Sequence, residues 1–368
     1  MKIQIHYASI GSGHRIAAGA IKHALALHDN VYVEMIDILD PIKTDLVKIS
    51  DITSLLSFLI APNAYDKAWQ TGNLQGLYNL ICEIDILQKY LLDSYMAFRP
   101  DIAVFTHSLP CSIFCKIKDS NQLTIPIIAV ATDFSIHPYW PLECVTQFVV
   151  GSDIGLQELR RRGLENNKIH LFGIPINPQF MGYSRKPQIR NDTAKNILIL
   201  AGGRQVAPYI VLWPKIVTII RSIVKWRNYD KLLWTVVSGA NPFFEKHLSA
   251  IANDTPNIVI TRYIEEIAHQ LFHSDIVMTK PGGLILAECM ALRKPVVLLT
   301  HGAGQEAANA GYLLERQAAL ILDDPVTTPK LMSNILATDE IIRLSHNAGS
   351  LGYPYAAEEI AQHILTFQ

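Results

Sequence analysis

A glycine-rich turn, Pro281-Gly282-Gly283, separates an apolar stretch from a run of good helix formers that begins at Leu284. This pattern predicts a strand that ends before the turn and a helix that begins in it. The first N–H groups of a helix have no partner within the helix, so this turn would present them to an anion such as phosphate. Glu288, one helical turn further along, carries an acceptor-only carboxylate that suits a pair of neighbouring hydroxyls such as those of a ribose.

A second polar group follows the next apolar run, which predicts a strand over Val296 to Leu299. It consists of Gly304, Gln305, Glu306 and Asn309, which this strand would deliver to a loop and a helix start. Amide and carboxylate groups in such a place are suited to reading sugar hydroxyls. Phosphate, ribose and sugar together describe a nucleotide sugar as the ligand of this part of the chain.

The first predicted strand, residues 2–8, leads into a glycine-rich loop that ends at Gly13, and a helix is predicted from His14. Open α/β sheets hold ligands at the carboxyl ends of their strands, where the imidazole of His14 could act as a general base. A histidine that only caps the turn is the alternative. The loop has Ile16 where a dinucleotide fingerprint needs a small residue, and Asp37 is a weak ribose partner, so a nicotinamide nucleotide is not expected.

A carboxylate and an imidazole follow another apolar strand, at Asp133 and His137, with the aromatic rings of Tyr139 and Trp140 beside them. A carboxylate can orient an imidazole or stabilise its charge during proton transfer. The alternative is a local hydrogen bond from a turn to Asp133, which is common for aspartate. His107, at the end of an earlier strand, ranks third as a base.

These separated patterns resemble the family of monogalactosyldiacylglycerol synthases and processive diacylglycerol glucosyltransferases, a branch of glycosyltransferase family 28 that includes MurG. The segments that carry the resemblance are Ser9 to Ala18, Ala131 to Trp140, Lys280 to Glu288 and Gly302 to Asn309. The resemblance runs over most of the chain and implies a GT-B fold, in which two Rossmann-like domains face each other across a cleft. It also implies an inverting transfer of a hexose from UDP-galactose or UDP-glucose to a lipid hydroxyl, with diacylglycerol as the leading acceptor.

The resemblance adds two further groups to the expected UDP-sugar site. Gly202, Gly203 and Arg204 stand where members of the family carry a glycine-rich loop that touches the diphosphate. The loop here holds less glycine than is usual, and Arg204 could supply a charge-assisted bond to phosphate instead. Tyr263 and Ile264 stand where an aromatic side chain and a backbone amide hold the uracil; an ordinary buried tyrosine is the alternative.

The elements that must position these residues alternate between strand and helix in both halves of the chain. This alternation predicts an α/β protein with parallel sheets covered on both faces. Residues 1–180 are predicted to form an acceptor-binding Rossmann-like domain, and residues 190–350 a UDP-sugar-binding one. Residues 175–191, rich in proline and polar side chains, are the predicted linker. The resemblance implies that the last helix, within residues 353–368, packs back on the N-terminal domain.

Bulk composition bounds the class of protein. A chain of 368 residues is long enough for two domains, and a net charge of -1 gives no reason to expect a nucleic-acid partner. The sequence has neither an Asp-x-Asp pair nor metal-ligand spacing, so no metal or other cofactor is expected, and helix ends with Arg204 or Lys280 would neutralise the diphosphate. Five scattered cysteines predict reduced, buried thiols rather than a disulfide framework.

Hydrophobic residues make up 49% of the chain, yet the longest apolar runs are far below the roughly 18 residues of a membrane-spanning helix. The apolar stretch from Leu55 to Ile81 has two readings. It could pack on the N-terminal sheet, or it could form a hydrophobic flap for a lipid acceptor or the membrane surface, as the resemblance implies. Because the sequence does not begin with a signal-peptide core, we expect a cytoplasmic protein that is peripheral on the inner face of the membrane.

Two other functions stay open at this point. A glycosyltransferase with a soluble or polyprenyl acceptor would use the same donor site, and a catalytically silent nucleotide-sugar-binding protein would fit the incomplete loop at 202–206. The sequence does not choose between galactose and glucose, because these sugars differ at one hydroxyl and Gln305, Glu306 and Asn309 suit either. Processivity and oligomeric state are also left open.

Overall fold

The computed structural model describes residues 1–9, 12–41, 75–184, 195–201, 213–226, 232–239, 242–253, 255–337 and 339–367. The chain forms two compact units. The first comprises Met1–Pro178, Ala303–Ala308 and Tyr355–Gln368, and the second comprises Gln179–Gly302 and Asn309–Pro354. Gly202, Gly203 and Arg204 of the predicted diphosphate loop lie outside the described residues, as do residues 55–74 of the apolar stretch.

The first unit is built on a six-stranded parallel sheet with the order β2-β1-β3-β4-β5-β6. Its strands are β1 (Lys2–Tyr7), β2 (Tyr32–Asp37), β3 (Ile102–Phe105), β4 (Ile127–Val130), β5 (Gln147–Val150) and β6 (Ile169–Leu171). Its helices are α1 (Gly13–Leu25), α2 (Gln75–Cys82), α3 (Asp85–Phe98), α4 (Ser108–Ser120), α5 (Asp153–Arg161) and, at the end of the chain, α14 (Ala356–Leu365).

Helices cover both faces of this sheet, which is why β3 and β4 are apolar at every position. On one face, Ile3 and Ile5 of β1 pack with α1 and with Ile360 and Ile364 of α14. On the other face, Phe105 of β3 packs with α4 and with residues of α3. The last helix of the chain therefore belongs to the core of the first unit.

The second unit repeats the architecture with the strand order β12-β11-β10-β7-β8-β9, again all parallel. Its strands are β7 (Lys195–Leu200), β8 (Leu232–Val237), β9 (Ile258–Thr261), β10 (Ile276–Thr279), β11 (Val296–Leu298) and β12 (Ala319–Ile321). Its helices are α6 (Gln179–Ser184), α7 (Trp213–Val224), α8 (Pro242–Ala252), α9 (Ile267–His273), α10 (Gly283–Ala291), α11 (Gln305–Glu315, from Asn309 onward), α12 (Thr328–Ala337) and α13 (Glu340–Ser350). Among the described residues, Trp234 of β8 is the largest fully buried side chain.

Each sheet has one point at which the strand order reverses, and the loops on either side of such a point form the crevice that binds ligands in open α/β sheets. In the first unit this point lies between β1 and β3, because β2 adds on one side of β1 and the later strands add on the other. In the second unit it lies between β7 and β10. Ligand-binding residues are therefore expected in the loops after β1, β3, β7 and β10.

The predicted linker, residues 175–191, contains the boundary between the two units and the short helix α6, in which the side chain of Phe180 is fully buried. One expectation needs correction. Cys115 of α4 and Cys144 form a disulfide with their Cα atoms 5.8 Å apart, so the prediction of five reduced thiols was wrong for this pair. The two cysteines are 29 residues apart, and only folding brings them together. The other three cysteines are free and buried.

Several predicted element ends also move by one to three residues; the helix predicted from His14 to His28, for example, runs over Gly13–Leu25. Within the described ranges, no helix combines the length and the apolar character needed to cross a bilayer.

Candidate active site

His14 lies in the first turn of α1, beside the point of strand reversal in the first unit. Its Nδ1 atom is 2.9 Å from the backbone carbonyl oxygen of Thr106 and 2.9 Å from the Oγ1 atom of Thr132. Thr106 directly follows β3, and Thr132 lies two residues beyond β4. The hydroxyl of Thr106 also donates to the carbonyl oxygen of His14 at 3.1 Å. Residues that follow two neighbouring strands, β3 and β4, thus hold this imidazole.

The contact with Thr106 decides which ring nitrogen of His14 carries the proton. A carbonyl oxygen only accepts hydrogen bonds, so Nδ1 must be the donor. In the neutral ring Nε2 then holds a lone pair and is the atom that can take up a proton. The hydroxyl of Thr132 can accept from the same Nδ1–H group. His14 is therefore fixed by the fold in the tautomer of a general base.

Burial lowers the pKa of His14 below the ordinary value of 6.5, while the nearby carboxylate of Asp133 and the hydrogen bond to Thr106 act in the opposite direction. The ring is therefore neutral near pH 7 and ready to accept a proton. Once it has done so, the negative charge of Asp133 favours the imidazolium. Asp133, which follows β4, is thus close enough to assist proton transfer through its charge.

Two further histidines of the first unit have the opposite hydrogen-bonding pattern. Nδ1 of His107 accepts from the backbone N–H of Leu109 at 3.0 Å, and Nδ1 of His137 accepts from the N–H of Tyr139 at 3.2 Å. Their neutral rings therefore carry the proton on Nε2 and can donate to a substrate oxygen. Burial lowers the pKa of both rings, that of His137 to about 3. His107 packs edge-on to His14, with ring centroids 4.5 Å apart.

These groups line one pocket of the first unit. Its polar lining is His14, Thr106, His107, Ser108, Thr132, Asp133, Ser135, His137 and Gln305. Gln305, with Gly304 and Glu306, belongs to the 303–308 segment that is part of the same unit. The hydroxyl oxygen of Ser135 is buried and has no hydrogen-bond partner among the described residues. The pocket thus combines a base, a carboxylate and several donors for a hydroxyl-bearing ligand.

The carboxylate of Asp37, weighed above as a ribose partner, has a structural task. Its Oδ1 atom accepts from the backbone N–H groups of Ser9 and Leu39, each at 3.1 Å. These bonds hold the start of the loop that leads to His14.

In the second unit, α10 begins at Gly283 directly after β10 and the predicted turn. Gly282 is its N-cap residue, and no side chain caps the first N–H groups. The ammonium group of Lys280 is close by, 3.9 Å from the position that a Cβ atom on Gly282 would take. A helix end of this kind, with a cation beside it, attracts phosphate.

Asn309 is fully buried, and its side-chain amide donates to the carbonyl oxygen of Pro281 at 3.1 Å. This contact ties the start of α11 to the turn before α10, so Asn309 shapes the turn. The sequence suggested that Asn309 reads a sugar; the structure gives its Nδ2 atom a partner in the protein. Gly304 has a φ of 55°, in the left-handed region that favours glycine, immediately before Gln305 and Glu306 start α11.

Glu288 lies inside α10 and is only 5% exposed. Burial raises the pKa of its carboxyl group to about 8. A bound ligand with two neighbouring hydroxyls, such as a ribose, would offer hydrogen-bond donors that suit this carboxyl group.

The remaining predicted residues are placed as follows. Tyr263 is 47% exposed and follows β9, and Ile264 next to it is half-buried. Leu284 is the second residue of α10, and Gly13 is the first residue of α1. An exposed tyrosine does not fit the alternative of a buried core residue.

Thr106, Thr132 and Ser135 escaped the sequence analysis. A usable signal existed for the two threonines, because both lie just beyond strands that end at the same sheet edge as the His14 loop. For Ser135 no signal exists in the sequence, because only the fold buries its hydroxyl.

Comparisons with known proteins agree with this architecture. Residues 14–176 match the family profile of monogalactosyldiacylglycerol (MGDG) synthase, and residues 197–344 match that of the glycosyltransferase family 28 C-terminal domain. Processive diacylglycerol beta-glucosyltransferase of Bacillus subtilis is 28% identical over 73% of this chain and 69% of its own length. Monogalactosyldiacylglycerol synthase 1 of Arabidopsis thaliana is 24% identical over 98% of this chain and 69% of its own length.

Among solved structures, MurG of Acinetobacter baumannii superposes with a TM-score of 0.64 at 14% identity and covers 99% of both chains, which establishes the GT-B fold. The chain belongs to the glycosyltransferase family of the monogalactosyldiacylglycerol synthases and processive diacylglycerol glucosyltransferases.

Proposed function

We propose that this protein transfers a hexose from a UDP-sugar to the hydroxyl of diacylglycerol with inversion at the anomeric carbon. The observation that carries this proposal is the bond from Nδ1 of His14 to the carbonyl oxygen of Thr106, because it leaves Nε2 as a base in a pocket that also contains Asp133. The relatives named above act on diacylglycerol, which suggests the acceptor.

In the proposed reaction, Nε2 of His14 removes the proton from the acceptor hydroxyl. The acceptor oxygen then bonds to the anomeric carbon, and the bond between that carbon and the β-phosphate oxygen breaks. UDP leaves with the bonding electrons, and the proton stays on His14 until it passes to water. Attack from the face opposite the diphosphate inverts the configuration, and the field of Asp133 stabilises the imidazolium that forms.

The donor would be held at the switch point of the second unit. The start of α10 at Gly283 and the ammonium group of Lys280 neutralise the growing charge on the diphosphate. Glu288 accepts hydrogen bonds from the ribose hydroxyls, and Tyr263 with the amide of Ile264 holds the uracil. Gln305 and Glu306 contact the sugar, with Gln305 near His14 in the pocket. We assign no metal to this reaction.

A lipid acceptor requires access to a membrane surface, so we propose peripheral binding to the inner face of the cytoplasmic membrane. The sequence from Leu55 to Ile81 is the candidate contact, and Leu80 of α2 is 68% exposed. In vesicle flotation we expect the protein to rise with lipid, and to do so less when Phe58, Leu59 and Trp69 are replaced by polar residues. A protein that does not float would favour a soluble acceptor.

The test of the proposed function is a screen of UDP-sugars for thermal stabilisation, followed by incubation of each binder with diacylglycerol vesicles and mass spectrometry of the lipids. We expect one UDP-hexose to give a hexosyl-diacylglycerol whose β-linkage is visible by NMR. Glu288→Ala should weaken UDP binding by about 1–3 kcal/mol, the cost of leaving hydroxyls unpaired. Binding without product from any lipid, polyprenyl or soluble acceptor would instead indicate a nucleotide-sugar-binding protein.

A further inference from the structure

The residues that follow β4 form a segment, Asp133 to Trp140, that we call the acceptor loop; it contains Asp133, Ser135 and His137. Trp140 N–H donates to the carbonyl oxygen of His137 at 3.3 Å, and Tyr139 N–H donates to the ring of the same histidine. The hydroxyl of Ser112 in α4 donates to the carbonyl oxygen of Tyr139 at 3.2 Å. Further support comes from the neighbouring helix α5.

Three side chains at α5 bind the acceptor loop one after another. The hydroxyl of Ser152 donates to the carbonyl oxygen of Phe134. The carboxylate of Glu158 accepts from the N–H of Ile136 at 3.0 Å. These two contacts hold the first half of the loop.

The guanidinium of Arg162, at the end of α5, holds the second half. Its Nη1 atom donates to the carbonyl oxygen of His137 at 3.2 Å, and its Nη2 atom donates to those of Pro138 at 3.0 Å and Trp140 at 3.3 Å. A planar fork of donors can hold three carbonyl groups in a fixed relation, which a single ammonium group does less well. Arg162 is thus bonded to the carbonyl group of His137 and to two carbonyl groups that follow it in the loop.

The backbone just before α5 also lies close to the acceptor loop. A Cβ atom on Gly151, just before the helix, would lie 2.9 Å from the carbonyl oxygen of Asp133 and 2.7 Å from the side chain of Ile174, so only glycine allows this approach. The negative charge of Glu158, one turn before Arg162, favours the charged guanidinium despite its partial burial. The helix and the loop are therefore joined by close packing as well as by hydrogen bonds.

From this geometry we propose that Arg162 is a positioning residue for glycosyl transfer, which fixes the backbone of the second half of the acceptor loop so that His137 faces the acceptor hydroxyl. It does not touch the reacting atoms. The inference rests on the proposed function, because it assigns the acceptor to this pocket. It separates Arg162 from its neighbour Arg161, which is exposed.

The test compares Arg162→Ala and Arg162→Lys with the control Arg161→Ala, which removes the same charge from the same helix end. In steady-state assays with UDP-hexose and diacylglycerol vesicles, Arg162→Ala should lower kcat/KM for the acceptor by as much as about 10²-fold, the effect of a misplacement near 1 Å. Its Kd for UDP should stay at the parental value. Arg162→Lys should fall between Arg162→Ala and the parent, and Arg161→Ala should match the parent.

A second readout does not depend on activity. Amide hydrogen exchange at Tyr139 and Trp140 should be faster in Arg162→Ala than in Arg161→Ala at equal global stability, because the loop loses three bonds. Unchanged exchange in Arg162→Ala would overturn the proposal. An inactive parent protein would contradict only the proposed function, because the exchange measurement would still test the role of Arg162. Parental acceptor kinetics in folded Arg162→Ala, or a Kd for UDP that changes as much as acceptor kinetics, would also overturn it.

Discussion

The imidazole of His14 and the backbone carbonyl of Thr106 are joined by a hydrogen bond of 2.9 Å. In the familiar catalytic triad an aspartate makes this bond to the histidine. Here a main-chain group at the end of β3 makes it, so the orientation of the base is a property of the sheet itself. The nearby Asp133 acts on the ring through its charge. Orientation and charge stabilisation are thus divided between two groups, and each can be removed separately.

The hydroxyl of Thr132 is the second acceptor for Nδ1 of His14. Its removal should therefore lower the rate of the reaction. Thr132→Val should lower kcat by roughly 2- to 10-fold, since a neutral hydrogen bond contributes about 0.5–1.5 kcal/mol. Thr132→Ser keeps the oxygen and should retain most of the activity. Steady-state rates at saturating donor measure both variants, and equal losses in the two would show that packing, not the hydroxyl, matters.

The pH dependence of the rate should follow His14. Because burial lowers the pKa of this ring, kcat/KM should rise with pH below 6.5 and reach a plateau above it. Asp133 raises that pKa, so Asp133→Asn should move the acidic limb to lower pH and reduce the plateau rate, because the imidazolium loses its stabilising charge. Complete pH profiles of both proteins test this. An acidic limb that lies at the same pH in Asp133→Asn as in the parent, or at a higher pH, would show that Asp133 does not act on His14.

Glu288 should make the protein less stable as the pH rises. Its carboxyl group loses its proton near 4.5 in the unfolded chain and near 8 in the folded protein. Between these values the folded state binds more protons than the unfolded state, so stability is lost from about pH 4.5 upward and the loss is complete above about pH 8. Glu288→Gln stays neutral, and its advantage in Tm over the parent should grow across this range. A constant difference in Tm from pH 5 to 9 would refute the assignment.

Removal of divalent ions should leave the activity intact. The uncapped start of α10 and the ammonium group of Lys280 supply the positive potential that a diphosphate requires. Rates measured in EDTA should therefore match rates with added magnesium, and Lys280→Ala should be slower in both. A reaction that stops in EDTA and returns with magnesium or manganese would mean that the helix end is insufficient.

The sequence was enough to predict the class of fold, because strands such as β3 and β4 are apolar throughout and are followed by helical periodicity. It also brought His14 and Asp133 to attention, since each follows a strand. It could not predict the hydrogen-bond partner of His14, because the bond to Thr106 joins residues 92 positions apart. The disulfide between Cys115 and Cys144 and the bonds of Arg162 escaped for the same reason.

Local sequence also gave an incomplete account of Asn309. Its amide group beside Gln305 and Glu306 suggested a reader of sugar hydroxyls, whereas in the fold its Nδ2 atom bonds to the carbonyl oxygen of Pro281. Glu288 is the converse case: the sequence suggested a carboxylate for ribose, and the fold adds that it is buried, with its pKa raised. Residue type identifies what a group can bind, but burial and partners decide whether the group is still available.

The most direct test of the account measures glycosyl transfer and UDP binding side by side in His14→Ala. The account predicts that turnover falls by about 10²–10⁴-fold, the usual contribution of a general base, while the Kd for UDP stays at the parental value. The variant must first be shown to be folded by its Tm. Near-parental turnover in folded His14→Ala would contradict the central claim that His14 is the base.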